Sequence, residues 1–300
     1  MPKTLPEKLK TRLEKQFGPS SAREIERAFG YSRLPTFRVN TLKATDDEVM
    51  KRLRDEAIAF ERAKGIPHAF KTKNRTAREL LKHDLATSGK IYLQGLASML
   101  PPLLLDPQPD ETVLDLCAAP GSKMSQMAAM MSGSGRLVAL ENDEIRYKKL
   151  LNTLAIQGAQ FVEAKLADAT LLHQEMPEAF DKVLADVPCS AEGRIDLNDP
   201  RSFGYWSEKN IVADAKLQRR LLRSAVDCLK PGGTLVYSTC TLAPEENELM
   251  IGWLLAEFPA MKSVEITLPL NHVRQTANQT LTILPNEEME GFFVAKLQKG

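Results

Sequence analysis

The sequence predicts an α/β protein: a doubly wound, largely parallel sheet with helices on both faces, preceded by a small basic α/β module. Three observations carry this. From residue 111 onward, short β-branched or apolar runs alternate regularly with longer helical stretches. LKPGG (229–233) supplies helix-stop and turn chemistry between two such segments. Charge is unevenly divided: residues 1–95 hold 21 Lys+Arg against 12 Asp+Glu, whereas the remainder holds 19 against 27.

In the first 95 residues, helices are expected near 4–16 and 21–29, and TFRVNTL (36–42) alternates as a strand does. Thr45 ahead of Glu48 gives a helix start of the capping-box type, and a weaker strand pattern follows near 67–72. KRLRDE (51–56) reads as a solvated helix face. ERAKGIPHAFKTKNRTAR (61–78), with six Lys or Arg, His68 and a single acid, fits contact with a polyanion. No low-complexity linker separates this module (1–95) from the domain at 96–300, so the two are expected to pack.

The later strands are read at TVLDLC (112–117), RLVALE (136–141), FVEA (161–164), FDKVLADV (180–187), GTLVYST (233–239), LTILP (281–285) and GFFVAKL (291–297). Helices fall near 122–131, 143–157, 207–229 and 245–257. A hydrophobic fraction of 43% in 300 residues supports one large core and a small one without staples. Cys117, Cys189, Cys228 and Cys240 form neither a CxxC pair nor a zinc pattern with the four histidines, so no metal and no disulfide is expected. The first residues lack an apolar signal core and no stretch is long enough to span a bilayer; a cytoplasmic protein with reduced thiols is expected.

In doubly wound sheets ligands bind beyond the carboxyl ends of the strands. The first such turn runs Asp115-Leu-Cys117-Ala118-Ala119-Pro120-Gly121-Ser122-Lys123; its small residues admit a ligand to the backbone, and free N–H groups at the following helix start can receive a carboxylate. It lacks the GxGxxG of dinucleotide folds. Glu141, 26 residues after Asp115 at the next strand end, can accept from ribose hydroxyls, and Asp168 can accept from an adenine amine, although either acid would also serve as a helix N-cap. Three acids at three successive strand ends favour an adenosine ligand. Two thiols then fall at the next two strand ends, in Asp186-Val-Pro-Cys189-Ser190 and Ser-Thr239-Cys240-Thr241. Cys117 and Cys228 read as small hydrophobes, whereas Cys189 and Cys240 sit at loop edges where reactivity is easier to arrange.

These segments, with RVNTLK (38–43), YLQGLASMLP (92–101) and PEENE (244–248), resemble the Sun/Fmu family of RNA cytosine-5 methyltransferases. The resemblance spans about residues 33–297. It implies a class I S-adenosylmethionine-dependent methyltransferase (Rossmann-like, seven-stranded mixed sheet) with an N-terminal module related to RNA-recognition folds, acting on tRNA or rRNA. It implies S-adenosylmethionine contacts from the 118–124 turn, Glu141, Arg146, Asp168 and Asp186, and a cytosine contact from Lys123. It further implies Cys240 as nucleophile and Cys189 as an aid to product release. The chemistry explains the thiol: carbon 5 of cytosine is too electron-poor to attack a sulfonium methyl until a nucleophile adds at carbon 6. Asp186 near the exocyclic amine or N3 would hold a proton and stabilise developing charge.

Four positions depart from the pattern: Ser122 and Ala191 stand where glycine is usual, and Thr282 and Asn286 where arginine and histidine are common. Competing readings are a methyltransferase acting on protein or a small molecule, and a catalytically silent RNA-binding scaffold. A reversal of the two cysteine roles, as in DNA cytosine-5 enzymes, is a further alternative. The protein is expected to be a monomer.

Overall fold

The computed structural model describes residues 4–270 and 273–300. Two helices, α1 (Glu7–Phe17) and α2 (Pro19–Ala28), open the chain. A four-stranded antiparallel sheet follows, built from β1 (Thr36–Val39), β2 (Phe60–Arg62), β3 (Ala69–Thr72) and β4 (Ile91–Leu93) in the order β2-β3-β1-β4. Helix α3 (Asp46–Asp55) connects β1 to β2, while α4 (Ala77–Lys82) and α5 (Asp84–Thr87) connect β3 to β4. This is the split βαββαβ arrangement. The Thr45–Glu48 capping box is present at α3 in both of its hydrogen bonds. The module's core is Phe37, Val39, Val49, Leu53, Phe70 and Ile91, with Phe37 and Phe70 stacked 5.5 Å apart.

The second sheet carries β5 (Thr112–Asp115), β6 (Arg136–Glu141), β7 (Glu163–Leu166), β8 (Phe180–Asp186), β9 (Leu229–Thr239), β10 (Met261–Val264), β11 (Val273–Gln275), β12 (Leu281–Ile283) and β13 (Phe292–Lys299). The order is β11-β12-β13-β9-β8-β5-β6-β7, with β10 paired to β13. The sheet therefore has nine strands rather than seven; β10 and β11 add an antiparallel edge too short to stand out in the sequence. Strands β5 to β9 are mutually parallel and β13 runs antiparallel to β9. Both faces are covered, so neighbouring residues such as Val113 and Leu114, or Leu235 and Val236, bury into opposite cores. Helices α7 (Ser122–Met130) and α8 (Glu144–Gln157), with α6 (Leu100–Leu105), pack on one face; α9 (Glu208–Cys228) and α10 (Glu248–Glu257) pack on the other.

Two readings of the sequence shift. LKPGG lies inside β9: the helix does stop at Cys228, but Leu229 already pairs with Phe180 and the ladder resumes at Thr234 opposite Lys182, so the turn residues form an excursion within a strand. The strand expected at 161–164 sits at Glu163–Leu166.

The N-terminal helices do not share the small sheet's core. Leu5, Leu9, Leu13, Ile25 and Phe29 bury against Ile195 and Leu242, which follow the two cysteine loops. Gln16 donates to the Leu242 carbonyl at 2.8 Å and Arg12 pairs with Glu245 at 2.7 Å.

The small sheet is tied to the large domain through Arg38, which is 3% exposed. Its guanidinium donates to Gln94 Oε1 (3.0 Å), the Ser122 carbonyl (3.1 Å) and Ser125 Oγ (2.7 Å), and lies 5.1 Å from the Tyr92 ring centroid. Burial without a carboxylate partner lowers it to about 10, so it stays charged at neutral pH. Asn40 completes the seam by donating to the carbonyls of Gly89 and Gln157.

Candidate active site

A cavity of about 490 Å³ opens at the carboxyl ends of β5, β8 and β9. That is where the connections leave β5 in opposite directions across the sheet, the switch point at which such folds bind ligands. Its wall includes the cofactor turn (Cys117–Pro120, Ser122, Lys123), Arg146, Asp186, Cys189, Cys240 and, from the small module, Tyr92 and Gln94.

The turn after β5 reverses at Gly121, whose φ of 105° is left-handed; a Cβ there would also press on Thr153 and Leu150 at 3.1–3.2 Å. Ser122 is the first helical residue, with no such demand, which is why serine stands there without cost. Its carbonyl is the one Arg38 grips. The Ala119–Pro120 peptide is cis. The first N–H groups of α7 have no partner one turn back and face the turn's ligand side, as at any helix start.

Asp115 is 1% exposed, and burial together with Asp186 pushes it up to about 7. Burial also raises Cys117, whose backbone N–H donates to Asp115. Glu141 is buried at the end of β6: Oε1 accepts from the N–H groups of Asn142 and Asp143 at 3.0 Å, while Oε2 has no hydrogen-bond partner and lies 3.4 Å from the Arg146 guanidinium. A buried carboxylate oxygen left without a donor is what a ribose hydroxyl would satisfy. Arg146 also donates to the Ala119 carbonyl at 3.0 Å, tying the acid to the turn. These residues fit an adenosine-bearing cofactor.

Two of the expected contacts lie apart from the cavity wall. Glu141 does not line it and is linked to it through Arg146. Asp168 acts here as an N-cap, accepting from Thr170 N–H at 2.9 Å with Arg220 at 3.9 Å.

At the other end of the cavity, Cys189 Sγ and Cys240 Sγ lie 3.3 Å apart. The hydrogen bond from Cys189, with Arg194 and Lys123 close by, holds Cys240 below the ordinary cysteine range against burial and Asp186. The same hydrogen bond, with burial, pushes Cys189 well up. The two thiols are thus inequivalent: Cys240 is the more readily ionised and Cys189 the one favoured to keep its proton. Lys123 Nζ lies 2.6 Å from Asp186 Oδ2 and 3.0 Å from Ser98 Oγ. Burial alone would lower this lysine, but Asp186 outweighs it and keeps the ammonium charged. Ser238 Oγ donates to Asp186 Oδ1 at 2.7 Å.

The sequence reading placed PEENE by resemblance but assigned it no role. In the fold it fixes both cysteine loops. Glu246, fully buried, accepts from the Ser190 N–H (3.1 Å), from Ser190 Oγ and from Gln218 Nε2 (2.8 Å); burial pushes it up to about 7. Ser190 Oγ also meets Thr241 Oγ1 at 2.7 Å, and Asn247 joins Thr239 to the Thr241 carbonyl. Gly193 N–H donates to the Cys240 carbonyl at 2.9 Å, and a Cβ on Gly193 would meet the Gly291 carbonyl at 2.0 Å, so only glycine fits.

Arg194, next in the chain, lines the cavity mouth 3.5 Å from Glu290 and was not foreseen; an arginine after a small-residue loop carries no signal before the loop is folded. Ala191, by contrast, departs from the family pattern at a cost: its φ of 56° and ψ of 28° are left-handed. Thr282 Oγ1 donates to Glu248 at 3.3 Å, and Asn286 accepts from Glu288 and Met289 N–H groups, so both serve local structure outside this cavity.

Much of the charge in 61–78 is locally paired: Arg62 and His68 with Asp46, Lys71 and Lys73 with Glu61, and Lys71 also with Glu288. KRLRDE behaves as the solvated face expected, with Arg52 bridging Glu56 and Asp84. Glu56, His83 and Asp84 lie close enough to hold a cation, but Arg52 and the turn at Leu85 already use their donor atoms. No described helix is long and apolar enough to cross a membrane.

The sheet order, the glycine turn and the acid at the end of the second strand together define a class I S-adenosylmethionine-dependent methyltransferase fold. A family model described as 16S rRNA methyltransferase RsmB/F matches residues 102–298. The chain belongs to that family, as the Sun/Fmu resemblance implied. Ribosomal RNA small subunit methyltransferase F of Shewanella loihica is 37% identical over 274 residues, covering 88% of this chain and 56% of that protein. The tRNA (cytosine(49)-C(5))-methyltransferase of Pyrococcus abyssi is 34% identical over 280 residues, covering 88% of each. A solved methyltransferase homolog protein from Pyrococcus horikoshii superposes with a TM-score of 0.86 at 30% identity, over 99% of this chain and 96% of that one. The chain spans about half the length of the small-subunit rRNA methyltransferase relatives it matches.

Proposed function

We propose that this chain methylates carbon 5 of a cytosine in RNA, using S-adenosylmethionine, with Cys240 as covalent nucleophile and Cys189 assisting release. The observation that carries this reading is the contact of two inequivalent thiols at 3.3 Å, beside the Lys123–Asp186 pair, in one cavity with the cofactor turn. Methylation of an exocyclic amine or a hydroxyl would need no thiol.

When bound, S-adenosylmethionine supplies an electrophilic methyl group. The turn at 117–123 and the N-terminus of α7 would receive its carboxylate, Glu141 its ribose hydroxyls, and Asp168, its cap shared, its adenine amine. Cys240 as thiolate adds to carbon 6 of the cytosine, and the ring's electron pair moves toward carbon 5. Asp186, held by Ser238 and Lys123, keeps a proton at N3 or the exocyclic amine and stabilises the charge that develops there. Lys123, charged and 8% exposed, contacts the same base edge. After transfer the carbon 5 proton departs to a base, the ring double bond re-forms, and the carbon 6–sulfur pair returns to Cys240. Cys189 is assigned the assistance of that step on its 3.3 Å contact with Cys240.

Residues 1–95 are assigned the gripping of RNA, on their excess of positive charge and on the intrusion of Tyr92 and Gln94 into the cavity wall. The names of the relatives include both rRNA and tRNA enzymes, and the target base would be flipped out of its stack in either case.

The test is a pair of variants. Cys240→Ala should abolish transfer of label from the cofactor into RNA. Cys189→Ala should instead accumulate an RNA adduct that survives denaturing electrophoresis. Exchange of the two behaviours would reverse the assignment, and label entering protein rather than RNA would overturn it. Bisulfite sequencing of RNA from cells with and without the gene would locate the cytosine.

A further inference from the structure

A second cavity, of about 200 Å³, lies on the other side of the Cys189 loop, and Cys189 forms part of the wall of both. Its remaining lining is Ser190, Ile195 and the segment from Arg201 to Ser207, together with Asn210 and Asp214 of α9. Three aromatic side chains, Phe203, Tyr205 and Trp206, fall within four residues. Phe203 and Trp206 are anchored: both pack on the core formed by the N-terminal helices, and Trp206 Nε1 donates to Glu192 at 2.8 Å. Tyr205 is free, 87% exposed, although its backbone is fixed by Asn210 Nδ2 donating to its carbonyl at 2.8 Å. Asp214, half-buried in the same wall, has a carboxylate with no hydrogen-bond or ion-pair partner among the described residues, and burial raises it above the ordinary range.

We propose that this cavity holds the RNA base next to the target cytosine, stacked on Tyr205, with Asp214 accepting a hydrogen bond from an amino group on its edge. The inference rests on the reading of RNA as substrate and goes further, because it names a second base site and its selectivity. The volume suits one nucleobase. An exposed aromatic ring beside anchored ones offers the stacking surface by which unpaired bases are held. A carboxylate accepts from the exocyclic amines of adenine, guanine and cytosine, whereas uracil has no exocyclic amine and its one donor on that edge, N3–H, is flanked by two carbonyl oxygens that a carboxylate repels, so uracil should bind more weakly. The shared Cys189 wall sets the spacing: when one base lies over Cys240, its neighbour along the strand is within reach of the second cavity. That geometry also gives a use to the bracing of Phe203 and Trp206 against the core of the N-terminal helices.

The experiment uses the full chain labelled with 5-fluorotryptophan. The two tryptophans give two fluorine resonances, Trp206 in the cavity wall and Trp253 outside its lining as an internal control, assigned with Trp253→Phe. Titration with the trinucleotides ACA, GCG, CCC and UCU keeps cytosine in the centre and the same base on both sides. The Trp206 resonance should move with ACA, GCG and CCC at concentrations about tenfold below those needed with UCU, and Trp253 should not move. Tyr205→Ala should weaken all four by about tenfold while Tyr205→Phe does not. Asp214→Asn, whose amide can also donate, should erase the bias against UCU.

Equal response to UCU in the intact protein, or Tyr205→Ala and Asp214→Asn titrating as the parent does, overturns the proposal. Because binding is read without methyl transfer, the outcomes separate. A selective Trp206 response in a protein that labels no RNA keeps the subsite and removes the catalytic reading. A flat response in a protein that methylates RNA does the reverse.

Discussion

Removing the Cys189 sulfur should make Cys240 a weaker thiolate. The two sulfurs are 3.3 Å apart, and the hydrogen bond between them is the leading cause that holds Cys240 below the usual cysteine range. A hydrogen bond to a charged group is worth about 1.5–3 kcal/mol, and one unit of pKa corresponds to about 1.4 kcal/mol. Cys189→Ala is therefore expected to raise Cys240, and to raise it less if water enters the space left by the thiol and takes over part of the hydrogen bond. At neutral pH, where little of the variant's thiol would be ionised, the rate of alkylation should fall about tenfold or more. The assay is iodoacetamide modification of the RNA-free protein across pH 5.5–10, with each cysteine followed by peptide mass. Cys117 and Cys228 are internal controls, since burial raises both and Cys189→Ala leaves their surroundings intact. An unchanged or lowered midpoint at Cys240 would refute the reasoning, and with it the division of the pair into a more readily ionised thiol and one that keeps its proton.

Four other perturbations test the remaining structure. Arg194→Ala should move the Cys240 midpoint in the same direction but less, because the guanidinium is largely solvent-exposed and also paired with Glu290; Arg194→Lys should restore part of it, and no shift in either variant would remove Arg194 from the site. Ala191→Gly should stabilise the protein by about 1 kcal/mol, the left-handed strain of a non-glycine residue less the added chain entropy of glycine; denaturant unfolding with an equal or lower midpoint would contradict this. Arg38→Met should cost about 3 kcal/mol by removing three hydrogen bonds from a buried cation, and a variant as stable as the parent would show the seam is held elsewhere. Glu246 carries a pH signature: raised from 4.5 to about 7 in the fold, it binds its proton more tightly folded than unfolded. Its contribution is full below about pH 4.5 and is lost as pH rises through about 7, a fall of about 3 kcal/mol that Glu246→Gln should remove from a stability profile measured between pH 5 and 8.5.

The parallel part of the fold was legible because each strand is buried on both faces and each crossover helix is long, so that apolar runs and helical periods alternate without ambiguity. β6 at Arg136–Glu141 coincides with its sequence reading. What escaped were three-residue strands such as β2, β4 and β11, whose pairing comes from tertiary neighbours and not from any period in so short a segment. LKPGG shows the opposite error: local turn chemistry was read correctly, but the sheet absorbs it as an interruption of β9. In the site, Cys189, Cys240 and Asp186 were legible because they stand at or just beyond strand ends, whereas Lys123, in the first turn of α7, was named only through the family resemblance; the fold brings all four to one cavity. Arg194, Glu246, Tyr92 and Asp214 were not, since each reaches its neighbours only through a loop path or a helix face that exists after packing.

The position of the N-terminal helices ties these strands of argument together. Their charge suggested an RNA-gripping role, yet their apolar faces close on Ile195 and Leu242, and Gln16 and Arg12 hold the chain just beyond Cys240. The same core receives Phe203 and Trp206, which follow the Cys189 loop. One small hydrophobic cluster thus stands behind both thiols, while Glu246 and Asn247 tie the two loops to each other from the opposite side. A sulfur pair must be held to within a fraction of an ångström for one member to keep the other ionised. On that view the helices act through placement of the thiols as well as through charge, and loosening them, for example with Leu9→Ala, should broaden the Cys240 alkylation profile toward that of Cys189→Ala even though residue 9 contacts neither sulfur.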